Sequence, residues 1–302
     1  GAIESHDDTH LTAVANVNDA GTGLSLASDG TVADPDEGDA LSVTGTLADE
    51  DGVTNAAPTY QWSRGSSAIS SATSSSYTLV QADVGSIMSV VISYTDDQSE
   101  SNTITLTAAS DTDNVNDSPT GSVTISGTAT EDQVLTAANT LADEDVLGSI
   151  SYQWKRAGTA ISGATSTTYT LTQSDVGSAI TVTASYTDGQ NTAESSTSSA
   201  TSSVANVNDA GTGLSLASDG DVADPDEDDA LSVTGTLADE DGVTNAAPTY
   251  QWSRGSSAIS GATSSSYTLV QADVGSIMSV FISYTDDQSE SNTITLTAAS
   301  DT

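Results

Sequence analysis

The chain has 302 residues, 43 of them acidic against four Lys+Arg, for a formal net charge of −39, and it contains no cysteine. Such a charge repels nucleic acid and anionic membrane surfaces, and the missing cysteines exclude disulfides, thiolate metal sites and cysteine nucleophiles. Self-repulsion on this scale opposes a compact state, so the chain is either disordered or neutralised by cations; its 35% hydrophobic residues, set in regular alternation, select bound cations.

Residues 1–14 belong to no full repeat. They read as the tail of a preceding domain with added residues at Gly1 and Ala2, and the chain as an excised fragment. The tetrapeptide Asn16-Val17-Asn18-Asp19 then appears, and returns as Asn114-Val115-Asn116-Asp117 and Asn206-Val207-Asn208-Asp209, at spacings of 98 and 92 residues. Stretches 21–112 and 211–302 align without gaps and differ only at Thr31/Asp221, Gly38/Asp228, Ser71/Gly261 and Val91/Phe281. A period of one domain's length means a tandem array of whole domains. The expected division is 15–112, a diverged copy at 113–204, and 205–302, with further copies in the parent protein. No run of about 18 apolar residues is present, so no membrane-inserted helix is expected.

Within one unit helix signals are nearly absent. Strands are expected at Leu41 to Leu47, Tyr60 to Trp62, Tyr77 to Leu79, Ile87 to Tyr94 and Asn102 to Leu106. In the longest, alternation turns Met88, Val90, Ile92 and Tyr94 inward and Ile87, Ser89, Val91 and Ser93 outward. The Val91/Phe281 exchange then falls on the outer face. Every Trp and Tyr recurs in step, from Tyr60, Trp62, Tyr77 and Tyr94 through to Tyr250, Trp252, Tyr267 and Tyr284, which gives each unit one small aromatic core. About seven short strands in about 92 residues is the pattern of an all-β antiparallel sandwich.

The joints, the Leu-Ala-Asp-Glu-Asp loops, Tyr-Gln-Trp, Gly-Ala-Thr-Ser, Asp-Val-Gly-Ser and Tyr-Thr-Asp together carry a resemblance over about 280 residues. The repeat resembles the cadherin-like, or bacterial immunoglobulin-like, extender domains of large RTX-type bacterial adhesins. That resemblance implies tandem Ig-like/cadherin-like sandwiches forming an elongated rod. Calcium (Ca2+) would stiffen it, and it would hold a ligand-binding tip away from the cell. It also implies an extracellular, cell-surface, monomeric chain whose partners are its own neighbouring repeats. The family's linker usually begins with Asp and ends in Pro. Here Asn leads each joint, and only the second is followed by Pro119.

Topology then groups the acids. Loops after the second and sixth strands face the preceding joint, so Asn18 and Asp19 are expected beside Asp49, Glu50, Asp51 and Asp96. The loop between the first two strands and the Asp-Val-Gly corner face the following joint. At the first complete joint the expected ligands are Asp34, Asp36, Glu37 and Asp83 from below, Asp111, Asp113, Asn116 and Asp117 in the linker, and Asp143, Glu144, Asp145 and Asp188 from above. At the second they are Glu131, Asp132 and Asp175, then Asn208 and Asp209, then Asp239, Glu240, Asp241 and Asp286. Calcium takes six to eight oxygens and these clusters supply them without His or Cys. Asp34 and Asp36 become Thr128 and Thr130 in the middle copy, so the second joint is expected to hold fewer ions or to hold them more weakly.

Enzymatic chemistry finds no support. The two histidines, His6 and His10, stand in the N-terminal tail, so no Ser-His-Asp set can form within a repeat. Gly21-Thr-Gly23 is too short for a phosphate loop. At roughly 3.3 Å per strand residue three units would span on the order of 120 Å. The rival reading is a repeated carbohydrate- or protein-binding module acting through avidity, for which an exposed aromatic such as Phe281 would serve.

Overall fold

The computed structural model describes residues 14–298, so the expected N-terminal tail lies outside them except for Val14. The first stretch of strands is β1 (Thr22–Ser28), β2 (Ala40–Ala48), β3 (Thr59–Arg64), β4 (Ser67–Ala68), β5 (Ser76–Thr78), β6 (Ile87–Thr95) and β7 (Ser101–Asp111). The next is β8 (Val123–Ser126), β9 (Val134–Asn139), β10 (Ser151–Arg156), β11 (Thr159–Ala160), β12 (Thr168–Thr170), β13 (Ile180–Thr187) and β14 (Ala193–Thr197). The last is β15 (Thr212–Ser218), β16 (Ala230–Ala238), β17 (Thr249–Arg254), β18 (Ser257–Ala258), β19 (Ser266–Thr268), β20 (Met278–Thr285) and β21 (Ser291–Thr297).

The chain divides into two compact units. One runs to Thr120 and includes the loops Ala142–Ser149 and Tyr186–Glu194. In it a three-stranded antiparallel sheet, β1-β2-β5, faces a four-stranded one, β4-β3-β6-β7. Leu41, Trp62, Leu79, Met88, Val90 and Ile92 form the core between them. The other unit comprises Gly121–Leu141, Ile150–Ser185 and the chain from Ser195. It holds the sheets β12-β9-β8 and β15-β16-β19 and the sheet β18-β17-β20-β21, and the sheet β11-β10-β13-β14 has its main body there. Leu231, Trp252, Leu269, Met278, Val280, Ile282 and Ala298 form one of its cores.

Period-two alternation makes these sandwiches. On β6 Met88, Val90 and Ile92 are fully buried while Ile87 is 46% exposed. Trp62 pairs in register with Val90, and outward-facing Gln61 with Val91. Phe281, opposite Gln251, is 40% exposed on the outer face as the alternation requires. Trp62 stacks on Tyr77 at a centroid distance of 5.8 Å and donates its indole N–H to the Ser74 carbonyl at 2.9 Å. An aromatic whose polar atom is satisfied can be buried whole.

The opening strand β1 is not evident from pattern alone. Gly23 (φ +83°) and Gly45 (φ +95°) face each other at a bulge. A Cβ on either would stand 2.2 Å from a carbonyl oxygen of the opposite strand. Gly23, directly before Leu24, hides a strand whose close approach to Gly45 on β2 in fact requires a glycine.

The linker leaves the first two sandwiches as a short parallel extension. Thr112 bridges to Val84 and Asp113 to Asp36; likewise Val204 bridges to Val176 and Ala205 to Thr130. The Glu37 amide donates to the Asp113 carbonyl and the Gly85 amide to the Thr112 carbonyl, both at 2.9 Å. The joint tetrapeptide therefore starts from a fixed position over the loop that carries Glu37.

Candidate metal centre

Carboxylates converge at each joint. Carboxyl oxygens of Glu37, Asp117 and Glu144 lie within 4.8 Å of one another, as do those of Glu131, Asp209 and Glu240, and those of Asp49, Asp51 and Asp96. Each like-charge pair at that spacing costs about 1 kcal/mol in bulk water and about 3 kcal/mol at an effective dielectric of 20. At the two complete joints the residues come from three places, the loop before β2 or β9, the linker, and the Asp-Glu-Asp loop of the next repeat, whereas Asp96 joins Asp49 and Asp51 from the loop after β6.

Backbone donors orient the first complete joint. The Asp117 amide donates to Asp145 Oδ2 at 2.8 Å, and the Asp145 amide to Asp143 Oδ1 at 3.0 Å. The Tyr186 hydroxyl donates to Asp143 Oδ2. Asp188 Oδ1 accepts from the amides of Gln190 and Thr192 at 2.9 and 2.8 Å. The Asn116 side-chain amide donates to Glu194 Oε1 at 2.8 Å. What remains is a set of buried oxygens with no protein donor: Glu37 Oε2, Asn114 Oδ1, Asp145 Oδ1 and Asp188 Oδ2. Asp145 is wholly buried and Asp188 is 6% exposed. Burial, with the charges of Asp117, Asp145 and Glu144, pushes the Glu37 carboxyl above its usual range.

The second joint repeats the plan. The Asp209 amide donates to Asp241 Oδ2 at 2.8 Å, the Asp241 amide to Asp239 Oδ1 at 3.0 Å, and the Tyr284 hydroxyl to Asp239 Oδ2. Glu131 is 1% exposed and accepts from the Val207 amide at 3.3 Å. Asp286 Oδ2 accepts from Asn292 Nδ2 at 2.8 Å, and Asn208 Nδ2 donates to Asn292 Oδ1 at 3.1 Å. Asn206 Oδ1 and Asp241 Oδ1 are buried without a partner. Burial and neighbouring acids raise Glu131 and Asp209 alike.

At the N-terminal joint, Asp19 donates its amide to Asp51 Oδ2 at 3.1 Å. Asp49 Oδ2 accepts from Tyr94 at 2.6 Å, and burial together with that bond pushes the Tyr94 hydroxyl up to about 12. Asn18 and Asn102 join side chain to side chain at 2.9 Å, and Asn102 holds Asp96 Oδ2 at 2.9 Å. Glu50 lines a hollow with Asp19 and Asp49.

Some expected ligands stand elsewhere. Asp34, Asp36, Asp111 and Asp113 form a separate exposed group, in which the charge of Asp34, then burial, then Asp111 and Asp36 raise Asp113. Asp132 is exposed at φ +62° beside Glu131. The corner aspartates require a correction. Asp83 is wholly buried, its Oδ1 taken by Arg64 Nε at 2.8 Å and its Oδ2 by the Tyr77 hydroxyl at 3.0 Å and the Val80 amide at 2.9 Å. Asp175 does the same with Arg156, Tyr169 and Thr172, and Asp273 with Arg254, Tyr267 and Val270. These carboxylates face into the sandwich with their oxygens engaged, so the corner touches the linker through backbone alone. Burial would raise Asp175, but the Arg156 guanidinium and the Thr172 amide hold it below the usual carboxylate range.

Other residues enter the site unexpectedly. The leading asparagines Asn114 and Asn206, rather than Asn116 and Asn208, hold the unpartnered oxygens. Glu194 stands where Asn102 and Asn292 stand in the other copies. The leading Asn is the signal that could have marked the former, since it recurs at the head of every joint as Asn16, Asn114 and Asn206.

No family model matches the chain, and no curated protein does. Solved structures similar to it include a calcium-stabilised adhesin with which an Antarctic bacterium reaches out and binds ice, at 14% identity and a TM-score of 0.30, over 94% of this chain and 74% of that one. A tetra-tandem repeat from the extending region of a large adhesion protein is 20% identical, at a TM-score of 0.27, over 93% and 74%. Extracellular cadherin domains 1–5 of protocadherin gamma B2 are 12% identical, at 0.31, over 88% and 56%.

Proposed function

We propose that this chain is a calcium-stiffened extender of a large RTX-type bacterial adhesin: three tandem Ig-like repeats, 15–112, 113–204 and 205–302, that hold a ligand-binding tip away from the cell surface. The observation that carries this reading is the set of buried oxygens without donors around the carboxylate clusters of the two complete joints. A buried polar atom needs a partner, and hard oxygens in this number with no nitrogen or sulfur among them fit calcium. Glu37, Asp117, Glu144, Asp145 and Asp188 would hold it at the first complete joint, and Glu131, Asp209, Glu240 and Asp241 at the second. Calcium would supply the positive charge that lets these carboxylates share one place. Extracellular calcium modules bind at roughly 10⁻⁴–10⁻³ M. At cytoplasmic calcium levels the joints would be loose, and outside the cell binding would order them.

Small-angle scattering tests this directly. With millimolar calcium the chain should reach the maximum dimension of a stiff rod, and with excess chelator the profile should become that of jointed, independently moving repeats. Coincident profiles would refute the clamp.

A further inference from the structure

We infer that the two complete joints fill in order, the one built on Glu37, Asp117 and Glu144 taking up calcium at lower concentration than the one built on Glu131, Asp209 and Glu240. This rests on the calcium reading above and goes beyond the weaker second joint expected from Thr128 and Thr130 in tracing the order of filling to Asp188 and Glu194.

The difference arises at one substitution. In the third copy Asn292 gives its amide N–H to Asp286 Oδ2 at 2.8 Å, so a protein donor already satisfies that carboxylate oxygen. In the middle copy Glu194 occupies the same place and has no N–H to give. It turns instead to Asn116, accepting at 2.8 Å. Asp188 Oδ2 is left buried with no partner. Asp188 sits against the site: the Gly189 amide donates to the Asp145 carbonyl at 2.8 Å. In the first copy the residue matching Asp188, Asp96, brings an oxygen within 4.8 Å of Asp49 and Asp51. Through Asp188 the first complete joint thus gains an unsatisfied carboxylate oxygen beyond those of Glu37 and Asp145, against Asp241 Oδ1 alone at the second, and through Glu194 one more negative charge. Ligand charge count sets calcium affinity.

The surroundings point the same way. Asp34, Asp36, Asp111 and Asp113 flank Glu37, whose amide donates to the Asp113 carbonyl at 2.9 Å. The matching residues beside Glu131 are Thr128, Thr130, Ser203 and Ala205. Asp132, standing where the first copy has Gly38, returns one charge to the second joint. The exposed acids act through solvent and are screened within about 8 Å at physiological salt, so Asp188 and Glu194 carry the larger part.

Site-resolved proteolysis during a calcium titration of the full chain tests the order. Brief digestion with a non-specific protease at each calcium level, read by mass spectrometry, gives separate protection midpoints for residues 113–119 and 205–211. The first midpoint should lie roughly 3- to 10-fold lower in calcium than the second. Glu194→Asn, which installs the residue the other copies carry, should raise the first midpoint by about that factor and leave the second in place. Asn292→Glu should lower the second. Equal midpoints in the unaltered chain, or a first midpoint indifferent to Glu194→Asn, with both linkers still protected by calcium, would overturn the order alone. Absence of calcium protection at either linker would overturn the clamp and the order with it.

Discussion

Asp145 binds the backbone of Asp117 with one carboxylate oxygen, at 2.8 Å, and keeps the other buried with no partner. One side chain therefore fixes the linker and presents an open acceptor beside it. Asp145→Ala removes both functions. Calcium affinity at this joint should fall at least about 10-fold, as losses of oriented ligands do, measured by calorimetry. In chelator the same variant should melt at or above the temperature of the unaltered chain, because it removes the charge that Asp145 sets against Glu37.

The corner separates folding from calcium. Asp83→Ala strands Arg64 and empties a buried carboxylate position. It should cost on the order of 3 kcal/mol in urea unfolding followed by Trp fluorescence, with calcium affinity at the joints unchanged. A drop in affinity without a drop in stability would return Asp83 to the ligand set.

Acid should act on the joints and the corners in different pH windows. Glu37 and Glu131 have raised pKa values, burial first and neighbouring acids second. The folded state then holds protons that the unfolded state releases, so stability falls as pH rises through the window just above 4.5. In chelator, melting temperature should rise as pH drops from 7 towards 5, while calcium-loaded chain loses its ion and its advantage. Asp175 is shifted the other way. Its contribution is present above its unfolded value of 3.8 and is lost only as pH falls through the lower folded value. The gap between the two melting curves should therefore close before the sandwiches themselves give way.

Packing offers a control pair. Trp62→Ala, at a wholly buried position, should cost about 3–5 kcal/mol. Phe281→Val, which restores the residue of the first copy on an outward face, should change stability by no more than about 0.5 kcal/mol. Equal effects would mean that β20 is turned over.

Much of this was readable from the residues. Alternation on β6 placed Met88, Val90 and Ile92 correctly, because a strand buried on one face admits no other register. The meeting of Glu37, Asp117 and Glu144 was likewise legible, since strand order puts the loop of Glu37 at the end facing the following joint and the loop of Glu144 at the end facing the preceding one. What the pattern could not show is which oxygens are already taken. The pattern offers Asp83 both as a ligand and as a cap for its own turn, yet Arg64 stands 19 residues before it, as Arg156 does before Asp175 and Arg254 before Asp273. In a chain with four basic residues that spacing was the available clue. Glu194 carries no motif at all, and its meaning appears only when Asn292 is seen donating to Asp286.

The bridge from Thr112 and Asp113 to the preceding sandwich also bears on tension. The amides of Gly85 and Glu37 donate into this segment, and its own two amides donate to the carbonyls of Ser86 and Pro35, all at 2.9–3.0 Å. A pull along the linker loads these bonds side by side in shear, so they must break together before the chain yields any length. Mechanical resistance is thus written into the backbone ahead of the joint, independent of whether a cation has bound.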